Sequence, residues 1–320
     1  MYLWDDLKKQ IKETDTTVQC PVEGCQTVVK RQRRSFRREE QFLCTDHKIY
    51  ISPTTWEYKN FWDNLLEQND NDRQLMQTIV ENKAESRLAR DKSEDAVTWN
   101  VFRHLQKKNL VGKALQTCLG TKNEKDYSLI YWSYSQENKS VWKPLVDVRK
   151  IFKENQNHPS EPDLIIEAPS TIVLIEAKFT SGNRTTPSNL AVESNYVDGG
   201  DNWFRQVFQD DVDFQSVAVQ DRFYELMRMW LLGTWIAKEK GKKFVLVNLV
   251  LEDKEPHVEE QFGRNLIQNS NRRFKRCTWE QIYRNVQTDI AGNHLEKFFK
   301  GKTLGYPNRR DLKRAFKLDE

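Results

Sequence analysis

Residues 160–178 read SEPDLIIEAPSTIVLIEAK, and this stretch decides the fold. Two β-rich runs, 163–168 (DLIIEA) and 172–178 (IVLIEAK), flank Ala168-Pro169-Ser170-Thr171. A two-residue turn at Pro169-Ser170 pairs them antiparallel, so that position i faces position 339 − i. Asp163 then lies opposite Glu176, with Cβ atoms about 5 Å apart. Side chains alternate along a strand, so Glu176 and Lys178 share one face while Ala177 points away. Facing acids repel, and a sequence tolerates that mainly where a cation sits between them. Hard carboxylate oxygens at that distance suit Mg²⁺ or Mn²⁺.

Outward from this hairpin the chain alternates helical and extended patterns. A short amphipathic helix is expected over 1–14, an aromatic helical segment over 55–68 and a boundary at NDNDR, 69–73. Polar and apolar helical periods follow over 75–92 and 94–106, then a strand near 128–134. Beyond the hairpin come a polar loop over 180–201, helices to about 238, a strand at 244–251 (FVLVNLVL) and shorter helices. Mixed helices and strands around one sheet make this an α/β fold, with domains expected over 1–72 and 73–320.

Composition excludes more than it selects. The chain has 320 residues, 38% hydrophobic and 11% aromatic, with mean hydropathy −0.81, enough apolar material for a core. The apolar runs are strand length and too short for a bilayer span, and MYLWDDLKKQ has no signal core, which points to the cytoplasm. Fifty-one basic against 47 acidic residues leave a net charge of only +4. The charge is clustered, however. Residues 30–38 (KRQRRSFRR) contain Lys30, Arg31, Arg33, Arg34, Arg37 and Arg38 without an acid, and 302–317 is basic again. Such clusters suit phosphate contact through counterion release, or form a solvated loop.

Five cysteines in a cytosolic chain argue against a disulfide framework. Cys20-x4-Cys25 and Cys44-x2-His47 are two ligand pairs separated by eighteen residues. Four S and N ligands at knuckle spacing fit tetrahedral Zn²⁺, with Pro21 and Gly24 supplying turn chemistry. The arrangement resembles a zinc ribbon, and it would hold the basic run out as a compact finger, with Phe36 and Phe42 for footing. Cys118 and Cys277 lie in apolar contexts and read as core residues.

Further carboxylate and polar candidates lie elsewhere. Ser93 reads as the N-cap of a helix whose apolar stripe is Val97, Val101, Phe102 and Leu105. Glu94 falls on that stripe, where a metal could partner it, or it complements the helix dipole. Gln220 and Tyr224, spaced i, i+4, lean toward a core face with Met227 and Leu231, as packing residues or more.

Together, Pro162-Asp163, twelve intervening residues and Glu176-Ala177-Lys178 resemble the signature of the PD-(D/E)xK, restriction-endonuclease-like nucleases. Upstream Glu94 and downstream Gln220-x3-Tyr224 are similar to the flanking motifs of the RecB-type branch. The iron–sulfur cysteines common in that branch are missing, and the N-terminal zinc-type cluster stands instead. The resemblance covers about residues 93–251 and implies a mixed central sheet flanked by helices behind a small zinc-ribbon-like domain. It implies hydrolysis of DNA phosphodiesters with Mg²⁺ or Mn²⁺ held by Asp163, Glu176, the Ala177 carbonyl and Glu94. Lys178 would act on the attacking water, and Gln220 and Tyr224 on positioning. RNA as substrate, exonuclease action, and roles in restriction, anti-phage defence or repair all stay open. Cutting both strands of a duplex favours a homodimer or partner subunits of a defence complex. Two other readings stand beside it: a zinc-ribbon nucleic-acid-binding protein with an inactive nuclease-like scaffold, and an α/β protein whose Glu176–Lys178 pair is a surface salt bridge.

Overall fold

Residues 1–33, 35–83, 86–119, 126–154 and 160–318 are described by the structure, a computed structural model of the chain. Arg34 of the basic run lies outside them. The chain packs as two compact units: Met1–Met76 with Ala84–Val111 and Tyr283–Glu320, and Gln77–Lys83 with Gly112–Ile282.

In the first unit, β1 (Thr17–Gln19) and β2 (Val28–Lys30) form an antiparallel hairpin. Strands β3 (Leu43–Cys44), β4 (Ile49–Ile51) and β5 (Trp56–Tyr58) form a separate three-stranded sheet. Strands of two or three residues bury little area, so the unit draws its core from both ends of the sequence. Leu7, Ile11, Val18, Ile49, Trp56 and Tyr58 pack with Tyr306 and Leu312. Two expected helices are absent. Residues 1–14 contain one 3₁₀ turn, Trp4–Asp6, and otherwise run extended, bridging Leu7 to Val22 and Gln10 to Asp311. Trp56 and Tyr58 alternate as strand residues, and only Phe61–Asn64 turns helically, so a period of two had been read as helical. NDNDR is a helix start: the helix Asp70–Asn82 begins there, and Asn69 Oδ1 accepts from the Asp72 N–H at 2.9 Å. The helix Glu94–Lys107 forms as expected, with Ser93 Oγ accepting from the Ala96 N–H at 3.1 Å. It is buried almost all round from Ala96 to Leu105, so a single apolar stripe understates it.

The second unit is built on a seven-stranded mixed sheet. Its strands are β6 (Ser128–Tyr131), β7 (Tyr134–Ser135), β8 (Ser140–Val141), β9 (Leu164–Glu167), β10 (Thr171–Ala177), β11 (Lys243–Val250) and β12 (Arg272–Thr278). The spatial order is β12-β11-β10-β9-β6-β7-β8, with β10, β11 and β12 parallel and the rest antiparallel. Parallel neighbours need crossovers, and the helix Tyr224–Glu239 supplies the one between β10 and β11. The hairpin register is the expected one: Leu164 faces Ile175 and Glu167 faces Ile172, closed by the Ala168 N–H to the Thr171 carbonyl at 2.9 Å. Strand β12 had been read among closing helices. Its sequence RRFKRCT is an edge strand with most side chains half-exposed, and it lacks a clean apolar period. Cys118 and Cys277 are buried as expected, but they are joined in a disulfide, with Cα atoms 5.4 Å apart.

One sheet face packs beneath the helix Tyr224–Glu239, where Leu226, Met227, Trp230 and Leu231 meet Ile165, Leu174, Phe244 and Leu246. The close approach is made at Gly233, where a Cβ would collide with the Phe244 ring and lie 3.0 Å from Leu174 Cδ1. Gly233→Ala is therefore expected to destabilise the protein by about 1–3 kcal/mol through overpacking, despite better helix propensity. A denaturation midpoint equal to or above that of the wild type would contradict this packing.

Candidate active site

The covered sheet face changes character at one level. Along β10 the residues on that face are Ile172, Leu174 and Glu176, followed by Lys178. Leu174 is level with Leu246 and Phe274, whereas Glu176 is level with Asn248 and Arg276. On β9 the step from Ile165, level with Leu174, leads to Asp163 at the strand start. Apolar rows thus give way to acids, an amide and a guanidinium at the carboxyl ends of the parallel strands. Open α/β sheets bind ligands at such ends.

The side chains there are tightly organised. Glu176 is 5% exposed, and its Oε1 lies 2.6 Å from Lys178 Nζ. Burial this deep rules out the solvated surface salt bridge. Asp163, half-buried, accepts from the Ala177 N–H at 2.8 Å, which fixes one carboxylate oxygen against the backbone between Glu176 and Lys178. Lys178 is held at both backbone ends: its N–H reaches the Leu249 carbonyl at 2.7 Å, and its carbonyl accepts from Trp279 Nε1 at 3.1 Å. Burial alone would lower the pKa of this lysine, but the carboxylates of Glu176, Glu225 and Asp163 outweigh it and hold the pKa well above its ordinary value. Lys178 is therefore an ammonium with three donors, of which one reaches Glu176 and one reaches Glu225 at 3.1 Å.

Glu225 was not singled out from the sequence, because an acid in the first turn of a helix ordinarily only complements the dipole. Thr185 brings it here: Thr185 Oγ1 accepts from the Glu225 N–H at 3.0 Å, and its carbonyl accepts from the Tyr224 N–H at 3.2 Å. Asn248 was missed as well. It is fully buried, accepts from Asn183 Nδ2 at 2.7 Å and donates to Glu255 at 3.1 Å, which pins the segment after Lys178 beside the strand ends.

Asp163, Glu176, Ala177 and Lys178 are thus brought together. Glu94, half-buried at the first turn of its helix, belongs to the first unit, whereas these four belong to the second. Gln220 and Tyr224 do not share one continuous helix as their spacing suggested. Gln220, exposed, ends a π-helical turn (Gln215–Gln220), and Arg222 at φ 62° breaks the chain before Tyr224 opens the next helix. Tyr224 instead packs edge-on against Tyr196 and Phe214, with the Arg228 guanidinium 5.1 Å from its ring centroid. Among the described residues the acids near Lys178 do not form a cage of three carboxylates. Two carboxylates and a backbone carbonyl suit an ion that keeps several waters, as Mg²⁺ does.

In the first unit, Cys20, Cys25, Cys44 and His47 converge, their ligand atoms all within 4.8 Å of one another. Cys25 Sγ is 3.9 Å from Cys44 Sγ, and His47 Nδ1 is 3.5 Å from Cys44 Sγ and 3.8 Å from Cys20 Sγ. Both knuckles are tight turns, with Gly24 at φ 74° in the first. Burial pushes the Cys20 thiol above its ordinary pKa, which a bound cation would reverse, since coordination deprotonates a thiol. The set fits a structural zinc ion.

Between these knuckles the basic run is only partly free for ligands. Arg31 pairs with Glu13 at 2.6 Å, and Arg38 with buried Glu57 at 2.8 Å. Lys30, Arg33 and Arg37 are exposed; Arg33 donates to the Asp15 carbonyl at 2.7 Å and lines a cleft with Phe36 and Arg309, and Arg37 lies 3.6 Å from Glu39. In the basic C-terminal stretch, Lys302 is buried on Asp91 at 2.8 Å and so serves packing.

No curated protein and no solved structure matches the chain significantly. The profile of restriction endonucleases associating with ARP matches residues 25–302, a span that includes β1 to β12 save its first hairpin strand and the whole Asp163–Lys178 site. A match over most of the chain, on a mixed sheet whose polar strand ends carry paired acids and a lysine, places this protein in the family of restriction endonucleases associating with ARP.

Proposed function

We propose that the second unit is a Mg²⁺-dependent (or Mn²⁺-dependent) deoxyribonuclease, with Asp163, Glu176 and the Ala177 carbonyl holding the ion. The observation that carries this reading is the junction at the end of β10. There one acid accepts from the Ala177 N–H, and the next is buried and paired with a half-buried lysine. When bound, the ion lowers the pKa of a coordinated water and stabilises charge on the phosphate. The chain supplies the rest. The Ala177 N–H orients Asp163, and Glu225 holds Lys178 as a second carboxylate partner beside Glu176. Lys178 orients the attacking water and offsets charge in the transition state. We assign Gln220 and Tyr224 as positioning groups. In this reading the first unit binds Zn²⁺ structurally and offers Lys30, Arg33 and Arg37 to phosphates, in the service of restriction or another anti-phage defence.

The test is incubation of the protein with circular, linear and single-stranded DNA in Mg²⁺ and in EDTA. Cleavage of circles in Mg²⁺ and none in EDTA is expected. Intact DNA with both Mg²⁺ and Mn²⁺, or cleavage in EDTA, would overturn the proposal. Replacing Lys30, Arg33 and Arg37 together with Ala should flatten the salt dependence of DNA binding by about 0.9 units of log–log slope per lost phosphate contact. An unchanged slope would return the run to a solvated loop.

A further inference from the structure

The first unit holds a second cluster of ligand-type side chains that the nuclease reading does not use. Glu67, His104 from the helix Glu94–Lys107, and His294 at the start of the helix His294–Gly301 converge. Glu67 Oε1 is 2.8 Å from His104 Nδ1 and 3.0 Å from His294 Nε2, and the two ring nitrogens are 3.1 Å apart. Glu67 and His104 are buried, whereas the His294 side chain is 54% exposed.

Hydrogen bonding satisfies two sides of this triangle at most. If both rings donate to Glu67, two N–H groups crowd each other, and if one ring is bare toward the centre it cannot donate. A divalent cation seated above the triangle takes one lone pair from each corner. Ligand bonds of about 2.0–2.2 Å at angles of about 90°, as on one face of an octahedron, span edges of about 3 Å. The carboxylate corner is held in place. Lys107 Nζ sits 2.5 Å from Glu67 Oε2 and 2.9 Å from Asp72 Oδ2, leaving Glu67 only Oε1 to offer, and Arg103 holds the other Asp72 oxygen at 2.7 Å. Asn293 Oδ1 accepts from the Leu295 and Glu296 N–H groups, so its Nδ2, 3.3 Å from His104 Nε2, is a donor. Without a cation His104 therefore carries its proton on Nδ1. An ion bound at Nδ1 takes the place of that proton, and the ring then turns Nε2 away from Asn293.

We infer that Glu67, His104 and His294 form a second metal site, taking one divalent transition-metal ion of the Zn²⁺ class with its remaining coordination open to water beside His294. Two imidazoles and one carboxylate favour such an ion over Mg²⁺ or Ca²⁺. The ligands come from three distant stretches, so the ion clips the C-terminal part of this unit to its central helix.

The probe is Zn²⁺ on the full-length chain, with metal content measured after dialysis and affinity by competition with a chromogenic chelator. His294→Ala should bind one Zn²⁺ per chain fewer than wild type, or bind it at least ~100-fold more weakly, beyond the usual effect of an outer-shell partner. Glu67→Gln, which keeps the volume and a hydrogen-bond acceptor, should do the same. Far-UV circular dichroism checks that each variant is folded. In Co²⁺-substituted protein, the thiolate charge-transfer band of the cysteine cluster should be the same in wild type and His294→Ala, which separates the two sites. Wild-type metal content and affinity in both variants, or a wild-type chain that takes no ion beyond the cysteine-bound one, would overturn the inference.

Discussion

Asp163→Ala and Glu176→Ala are expected to abolish Mg²⁺-dependent cleavage, and Lys178→Ala to slow it by about 10²–10³-fold, roughly 3–4 kcal/mol, with Mg²⁺ still bound. The difference follows from the geometry. Each acid would be an ion ligand, whereas Lys178 sits against Glu176 and Glu225 as a cation. Removing that cation takes the ammonium away from buried Glu176, so affinity for Mg²⁺ should hold or rise. Asp163→Ala also strips the Ala177 N–H of its acceptor, at about 1–3 kcal/mol of folding free energy, which would confuse the reading. Asp163→Asn keeps a carbonyl oxygen for that N–H and loses the ligand charge, so it is the cleaner variant. DNA binding should survive in all of them. Wild-type cleavage by Lys178→Ala would remove the lysine from the chemistry. Full activity in Asp163→Asn would remove the site.

Loss of the ion proposed for the cysteine cluster should have the largest structural effect. Strands β1 to β5 are two or three residues long, and Cys20, Cys25 and Cys44 are themselves part of the core beside Val18, Ile49 and Trp56. Structural zinc contributes on the order of 10–16 kcal/mol in isolated zinc-finger peptides, more than such a core can replace. Cys44→Ala, or prolonged chelation, is therefore expected to melt β1 to β5 and open them to proteases, while the seven-stranded sheet of the second unit persists. Limited proteolysis followed by mass spectrometry reads this directly. Equal protease resistance with and without the chelator would exclude a zinc-dependent core.

The parts legible in the sequence are those where local chemistry dictates geometry. Pro169-Ser170 left a two-residue turn, and once its length was set, every pair from Glu167 with Ile172 to Leu164 with Ile175 followed. Ser93 announced its helix because a capping side chain has few other uses there. The illegible parts are those set by distant partners. Leu7 and Ile11 have helical spacing, yet the first fourteen residues run extended because Val22 and Asp311 pair with them. Gln220 and Tyr224 have helical spacing as well, but the chain turns sharply at Arg222. Glu225 and Asn248 enter the site through Thr185, Asn183 and Glu255, and no spacing rule connects those positions. The Cys118–Cys277 bond joins residues 159 positions apart, where sequence offers only two apolar contexts.

The first unit takes Tyr306 and Leu312 into the core that holds Leu7 and Cys20, and the Leu312 N–H reaches the Lys9 carbonyl at 2.8 Å. This has a consequence for biosynthesis. As the chain leaves the ribosome, residues 112–282 can assemble their sheet as one uninterrupted stretch, whereas the earliest residues must wait for the last ones. The sheet that carries Asp163 and Lys178 can thus form before the unit that carries the cysteine knuckles. A stalled or prematurely terminated chain would hold the seven-stranded sheet while the core around Leu7 and Cys20 still lacked Tyr306 and Leu312.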